Sequence, residues 1–233
     1  MERQFNPQDH DNFSSSPVVL ALIPMQQSVA TVLLRRGLVR VATTIPIVEE
    51  DAATGAVAKA YADYRSRFER QSVPGILKCF ATHPPLLEQM MALATSILFG
   101  ESHLTRASKE MIATHVSCLN ACSYCLDSHA SFLQEQGGSD ELLLAIFQGN
   151  LESPSIGAKD RHLLAFAGKV TDESYKISPA DIQSLQDAGW HQQQIAEAVH
   201  IAALFACFNR VANAFGLPSQ HLFNRDLGME ENT

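Results

Sequence analysis

The chain has 233 residues, and 25 acidic against 17 basic side chains leave a formal net charge of −8 at pH 7. That balance excludes non-specific nucleic-acid binding, which needs clustered Lys and Arg to neutralise phosphates. A hydrophobic share of 46% is that of a globular chain rather than a disordered one, and the length suits one large domain or two small ones.

The first 44 residues differ from the rest. Residues 4–16 are polar, and residues 18–41 are apolar with Arg35, Arg36 and Arg40 interspersed. The pattern predicts a helix there from about Ser28. The longest wholly apolar stretch near the N-terminus, Val18 to Ile23, is six residues, against the roughly 20 a membrane span needs. Arg3 is followed by Asp9, Asp11 and a Ser run rather than an apolar core, so no secretory leader is read. We read 1–44 as a partly disordered N-terminal extension and 45–233 as the domain.

From Ile45 onward the pattern is helical. Ala56 to Phe68 places Val57, Tyr61, Tyr64 and Phe68 on one stripe. Pro84 to Phe99 opens with prolines in its first turn and closes before Gly100. Thr105 is a predicted N-cap for a helix to about Leu119. A run from about Ala121 to Gln136 stops at Gly137-Gly138. Ser139 can cap Asp140 to Gln148, and Gly157 to Val170 is a further apolar-periodic run. Ser178-Pro179-Ala180-Asp181 reads as a capping-box start with Pro at N1, ending at Gly189. Gln192 to Phe215 is a long run closed by Gly216, with Pro218 beyond. No segment alternates as a strand does, so the expected class is all-α.

Chemistry concentrates in one place. Of five cysteines, Cys79, Cys118, Cys122, Cys125 and Cys207, three fall within eight residues. An odd, clustered set suits a reducing, cytoplasmic setting, where a close pair is catalytic or metal-binding rather than structural. Cys79 and Cys207 read as inert small hydrophobes. His129 follows Cys122-Ser-Tyr-Cys125 by four residues, and Glu110 precedes Cys122 by twelve. Asn120 can end one helix and cap the next, which puts Cys122 in a first turn where N–H groups and the dipole favour a thiolate. Residues three apart on a helix have Cα atoms about 5 Å apart, within disulfide reach. His129 shares their stripe and can take or return a proton, and Glu110 can fold back as a second acid or base. His115 and His200 read as core or helix-surface residues.

Zinc is the competing reading, because Cys118, Cys122, Cys125 and His129 are four candidate ligands. On one continuous helix Cys118 and His129 would lie about 16 Å apart, too far to share an ion with bonds near 2 Å. A three-ligand site from Cys122, Cys125 and His129 stays open. Haem attachment is excluded because Leu126, not His, follows the second Cys. A thioredoxin reading lacks its βαβ context. A faint internal repeat also runs through the chain: Glu197 precedes Asn209 by the same twelve residues that separate Glu110 from Cys122. In that alignment Cys125 falls opposite Ala212 and His129 opposite Gly216, so one copy would carry chemistry and the other only scaffold.

Glu110, the Cys122-Ser-Tyr-Cys125 pair and His129 together resemble the core of the AhpD-like alkylhydroperoxidases of the carboxymuconolactone decarboxylase family. The similarity is greatest to the peroxidase-related branch with Tyr inside the CxxC. Ile45-Pro46, Val73-Pro74 and the ending from Asn209 to Gly216 look like that branch too, so the resemblance covers about residues 45–217. It implies an all-helical bundle that assembles as homotrimers or hexamers and reduces organic hydroperoxides without a cofactor or metal. By the same resemblance Cys125 is the peroxide-reacting thiol, Cys122 the resolving one, and Glu110 with His129 the proton relay. A protein or small-thiol reductant would restore the pair; neither nucleic acid nor membrane is an expected partner. AhpD has a His between its cysteines where this chain has Tyr124, a poor base at pH 7 that can still donate a hydrogen bond. A slower peroxidase or a different acceptor is therefore expected. A carboxymuconolactone decarboxylase-like lyase and a non-enzymatic thiol sensor or zinc module are the alternatives.

Overall fold

The computed structural model describes residues 42–225. The helix expected from Ser28, and nearly all of the expected N-terminal extension, lie outside that range. Among the described residues there is no strand, as the all-α expectation required.

Ten helices run along the described residues: α1 (Gly55–Phe68), α2 (Gly75–Phe80), α3 (Pro84–Ala94), α4 (Arg106–Leu119), α5 (Ser123–Glu135), α6 (Asp140–Gln148), α7 (Ala158–Glu173), α8 (Pro179–Asp187), α9 (Gln192–Phe215) and α10 (Leu222–Arg225). The expected boundaries hold within a few residues because local chemistry sets them. Thr105 accepts from the Ser108 N–H and Ser139 from the Leu142 N–H, each capping its helix. Ser178 and Asp181 close the predicted capping box, and Gly216 ends α9 at φ 72°. The run from Pro84 divides in two: α3 passes into a π-helical turn, Thr95–Phe99, before Gly100. Thr95 and Ser96 turn their hydroxyls back onto the carbonyls of Met91 and Ala92 there.

Helix α4 is the axis of the fold. Ten of its residues, Lys109 to Cys118 without a break, are buried. An amphipathic helix buries one stripe, so burial on every side means partners all round. These are α5, α7 and α9, with α6 and the π-turn at the ends. One apolar cluster joins α1, α2, α4, α7 and α9 through Tyr61, Leu77, Ile112, Leu163 and Phe205. A second lies between α5, α6 and α7 around Leu133, Ile146 and Leu164. Helix α9 is, among the described residues, the one helix long and apolar enough to cross a membrane, and half of its apolar window is buried inside this fold.

Candidate functional site

The link between α4 and α5 builds the site. Asn120 ends α4, Ala121 takes a left-handed conformation at φ 49°, and Cys122 follows. The Ala121 N–H donates to the Cys118 carbonyl at 3.1 Å and the Cys122 N–H to the Ser117 carbonyl at 3.0 Å. Those two bonds are a Schellman motif, here with Ala where Gly is the usual choice. The turn is so tight that Cys122 is itself the N-cap of α5, one position earlier than the first-turn placement expected from sequence. The turn after Asn120 also breaks the continuous helix on which the zinc geometry was argued.

Both cysteines are buried, and Asn209 of α9 is wholly buried against them. Its amide donates to Ser117 Oγ at 3.1 Å and its oxygen accepts from Asn120 at 3.0 Å. Cys122 is held below the usual thiol range. The Cys125 thiol facing it as a donor is the main cause, and it outweighs burial with help from the N–H groups of Cys125 and Tyr124 and the Asn209 amide. Cys125 is pushed well up, because it donates to Cys122 and is buried. The two thiols therefore titrate as a pair, with Cys122 the one that ionises more readily and Cys125 the one that keeps its proton.

Glu110, fully buried in α4, reaches His129 of α5: Oε2 lies 2.6 Å from His129 Nδ1. Its other oxygen accepts from Arg106, one turn earlier, at 2.6 Å. Burial by itself would raise the Glu110 pKa; the His129 and Arg106 charges outweigh it and hold the carboxyl below its ordinary value. The His129 ring is fixed edge-on against Phe205, with centroids 4.6 Å apart, and against Phe132 at 5.5 Å. Arg106 lies 4.4 Å over the Phe99 ring.

A cavity of about 300 Å³ opens onto this group, with Cys125, His129, Tyr124 and Arg106 on its lining and Cys122 behind them. Phe68 and Phe99 add aromatic bulk to its wall. Tyr124 shares the lining, but its hydroxyl accepts from the Ile76 N–H at 3.3 Å, tying the CxxC turn to the start of α2. Burial pushes its pKa far up, so it stays a neutral phenol. All five sequence-selected residues, Glu110, Cys122, Tyr124, Cys125 and His129, thus gather at one place.

Two residues escape the sequence reading. Arg106 carries a signal, its i,i+4 spacing to Glu110. Asn209 falls in what the sequence presents as a scaffold-only copy, and tertiary packing alone brings it to the sulfurs. Cys118 sits in the second apolar cluster with its thiol toward the Phe147 carbonyl. Among the described residues no three His, Cys, Asp or Glu side chains are grouped to hold a metal ion, which leaves the zinc alternative without a ligand set. Cys79 is buried, with its thiol pushed up to about 12 by burial, while Cys207 is exposed. His115 is a buried core residue whose pKa burial lowers to about 4, and His200 is on the surface.

Comparison with known proteins agrees with this fold. The carboxymuconolactone decarboxylase family model matches residues 84–152, which span Glu110, both cysteines of the pair and His129. The segment that carries the site is thus similar to the carboxymuconolactone decarboxylase family. An uncharacterised peroxidase-related protein from Silicibacter sp. TM1040 is 27% identical with a TM-score of 0.69, covering 79% of this chain and 95% of its own. An uncharacterised peroxidase-related protein from Ralstonia eutropha JMP134, described as an alkylhydroperoxidase AhpD core, shares the fold at 23% identity and a TM-score of 0.70, over 79% of this chain and 96% of its own. The alkyl hydroperoxide reductase AhpD of Nocardia farcinica is 28% identical over 122 residues, 51% of this chain and 66% of that protein.

Proposed function

We propose that this protein belongs to the AhpD-like branch of the carboxymuconolactone decarboxylase family and is a thiol-dependent peroxidase that reduces organic hydroperoxides through Cys122 and Cys125. The observation that carries the reading is a single cavity exposing Cys125 and His129 together, with Glu110 directly behind His129. A dithiol in which one sulfur ionises more readily than the other, beside an imidazole held by a carboxylate, has what O–O cleavage needs: a source of thiolate and a proton donor for the leaving oxygen.

In the proposed cycle Cys125 first passes its proton to Cys122. The Cys125 thiolate attacks the distal oxygen of ROOH, the O–O bond breaks, and Cys125 becomes a sulfenic acid. The alkoxide leaves as ROH with a proton from the imidazolium of His129, whose charge Glu110 balances. The Cys122 thiol then attacks the sulfenic sulfur; its proton passes through His129 to the departing hydroxyl, which leaves as water. Two equivalents of a thiol reductant reopen the Cys122–Cys125 disulfide and are themselves oxidised to a disulfide. Cys125 takes the attacking role because it faces the cavity while Cys122 lies behind it; the lower pKa of Cys122 makes it the proton acceptor. A reducing, cytoplasmic compartment suits the five free thiols, and half-exposed Leu86, Leu93 and Phe99 offer an apolar face for assembly into a homotrimer or hexamer.

The test is hydroperoxide consumption with a dithiol reductant by wild type, Cys122→Ser and Cys125→Ser. We expect Cys125→Ser to lose at least about a hundredfold in kcat/KM. Cys122→Ser should consume one equivalent and stop as a sulfenic acid that a dimedone-type probe captures. Equal rates for all three proteins would overturn the proposal.

A further inference from the structure

The cavity that exposes Cys125 has a cation at its rim that the peroxidase chemistry does not use. Arg106, on the inner lining, is committed to Glu110. Arg70, which also lines the cavity, makes no ion pair among the described residues. Its guanidinium lies 5.8 Å from the centroid of the Phe132 ring, and its charge is felt by Tyr64 on the neighbouring wall. An arginine laid against an aromatic face is oriented without losing its hydrogen-bonding edge, which remains free for a planar two-oxygen acceptor. Glu135 borders the same rim, exposed to water and outside ion-pair distance of Arg70, so solvent screens it.

The rest of the lining is mostly apolar, with Phe68, Phe99, Leu98 and Phe208 among it and Thr95, Ser128 and Gln220 as polar members. The volume of about 300 Å³ is at the small end of ligand sites. At roughly 30 Å³ per water-sized unit it holds a body of about ten non-hydrogen atoms.

We propose that this cavity selects compact aryl or short-alkyl carboxylic acids, whose carboxylate is held by Arg70 at the rim while the apolar body fills the space leading to Cys125. On the peroxidase reading above, with which this proposal shares its site, the substrates are hydroperoxides of such acids. The carboxylate and hydroperoxide ends would then be kept apart, the first beside Arg70 and the second beside Cys125 and His129.

Binding separates this proposal from the peroxidase reading, because it needs no turnover. The probes are 4-isopropylbenzoate and its neutral isostere 4-isopropylbenzamide, titrated calorimetrically into wild type, Arg70→Gln and Arg70→Lys. Wild type should bind the carboxylate at least about fivefold more tightly than the amide, as a charge-assisted Arg–carboxylate contact implies. Arg70→Gln should bring the two within about twofold, and Arg70→Lys should fall between. Arg70 is exposed, so these variants are expected to fold. Equal affinities in wild type, or a preference that survives in Arg70→Gln, would overturn the proposal. The same contrast is then read in turnover with cumene hydroperoxide and its 4-carboxy derivative. If both are reduced without an Arg70-dependent preference, the substrate class is wrong and the peroxidase stands. If the benzoate binds through Arg70 while neither hydroperoxide is consumed, the binding site stands and the peroxidase reading fails.

Discussion

Helices α4 and α9 carry the same spacing and put it to different use. Glu110 and Glu197 each stand twelve residues before a polar or thiol side chain, Cys122 and Asn209. Glu110 is sealed in the core between His129 and Arg106. Glu197 stands nearer the surface and accepts from the N–H groups of His103 and Leu104 and from Ser102 Oγ. One carboxylate is paired with an imidazole and a guanidinium; the other pins a loop. The helix ends differ similarly. After α9, Gly216 takes the left-handed position at φ 72°, which costs glycine little, whereas after α4 Ala121 takes it at φ 49°. The contrast shows that the spacing specifies a scaffold, and that chemistry depends on what the neighbouring helix presents.

The carboxylates break this comparison most sharply. Glu110→Gln, verified as folded by circular dichroism, should lower kcat/KM for hydroperoxide about a hundredfold. Urea unfolding at pH 7 should show about 3 kcal/mol of lost stability, because Arg106 and His129 lose a buried partner. Glu197→Gln should cost about 1 kcal/mol and leave turnover within about threefold. Similar activity losses in both variants would erase the distinction.

Asn209 sharpens it next, since it is the contribution of α9 to the thiol pair. Asn209→Ala removes an amide that favours the charged form of either sulfur, so thiolate absorbance near 240 nm should titrate at higher pH than in wild type. Alkylation at pH 7 should slow about tenfold, as a one-unit rise in pKa implies, and recover as pH is raised. An unchanged titration would make Asn209 purely structural.

Acid stability tests the same carboxylate from another side. The folded Glu110 pKa lies below its ordinary value, so the stability it contributes is full above the unfolded carboxyl value of about 4.3. That contribution is lost as pH falls through the folded value. Wild type should therefore lose more stability than Glu110→Gln between about pH 5 and the acid range, measured by urea midpoints at each pH. Parallel curves would contradict the assigned cause. The smallest effect is at the helix ends. Ala121→Gly should stabilise by up to about 1 kcal/mol and Gly216→Ala destabilise by about the same, both read as Tm shifts.

Much of this is legible in the chain. Thr105, Ser139, the Ser178–Asp181 box and Gly216 act through contacts within four residues, so the boundaries they set need no tertiary information. Glu110 and His129 are legible as candidates because residue type and spacing already restrict proton chemistry. The N-cap position of Cys122 differs by one residue from the sequence expectation, since an alanine in the left-handed conformation carries no sequence signal of the kind Gly does. Asn209 is not legible as a site residue because its partners Ser117 and Asn120 are 92 and 89 positions away.

The sequence by itself determined an all-helical chain and one stretch able to do thiol and proton chemistry, because caps, periodicity and the CxxC-to-His interval are local. Only the tertiary structure decided which carboxylate joins that stretch, which sulfur faces the cavity and which ionises more readily. Those outcomes depend on burial and on groups from α4, α5 and α9 meeting in a low-dielectric interior, where a few ångströms determine whether a charge is balanced.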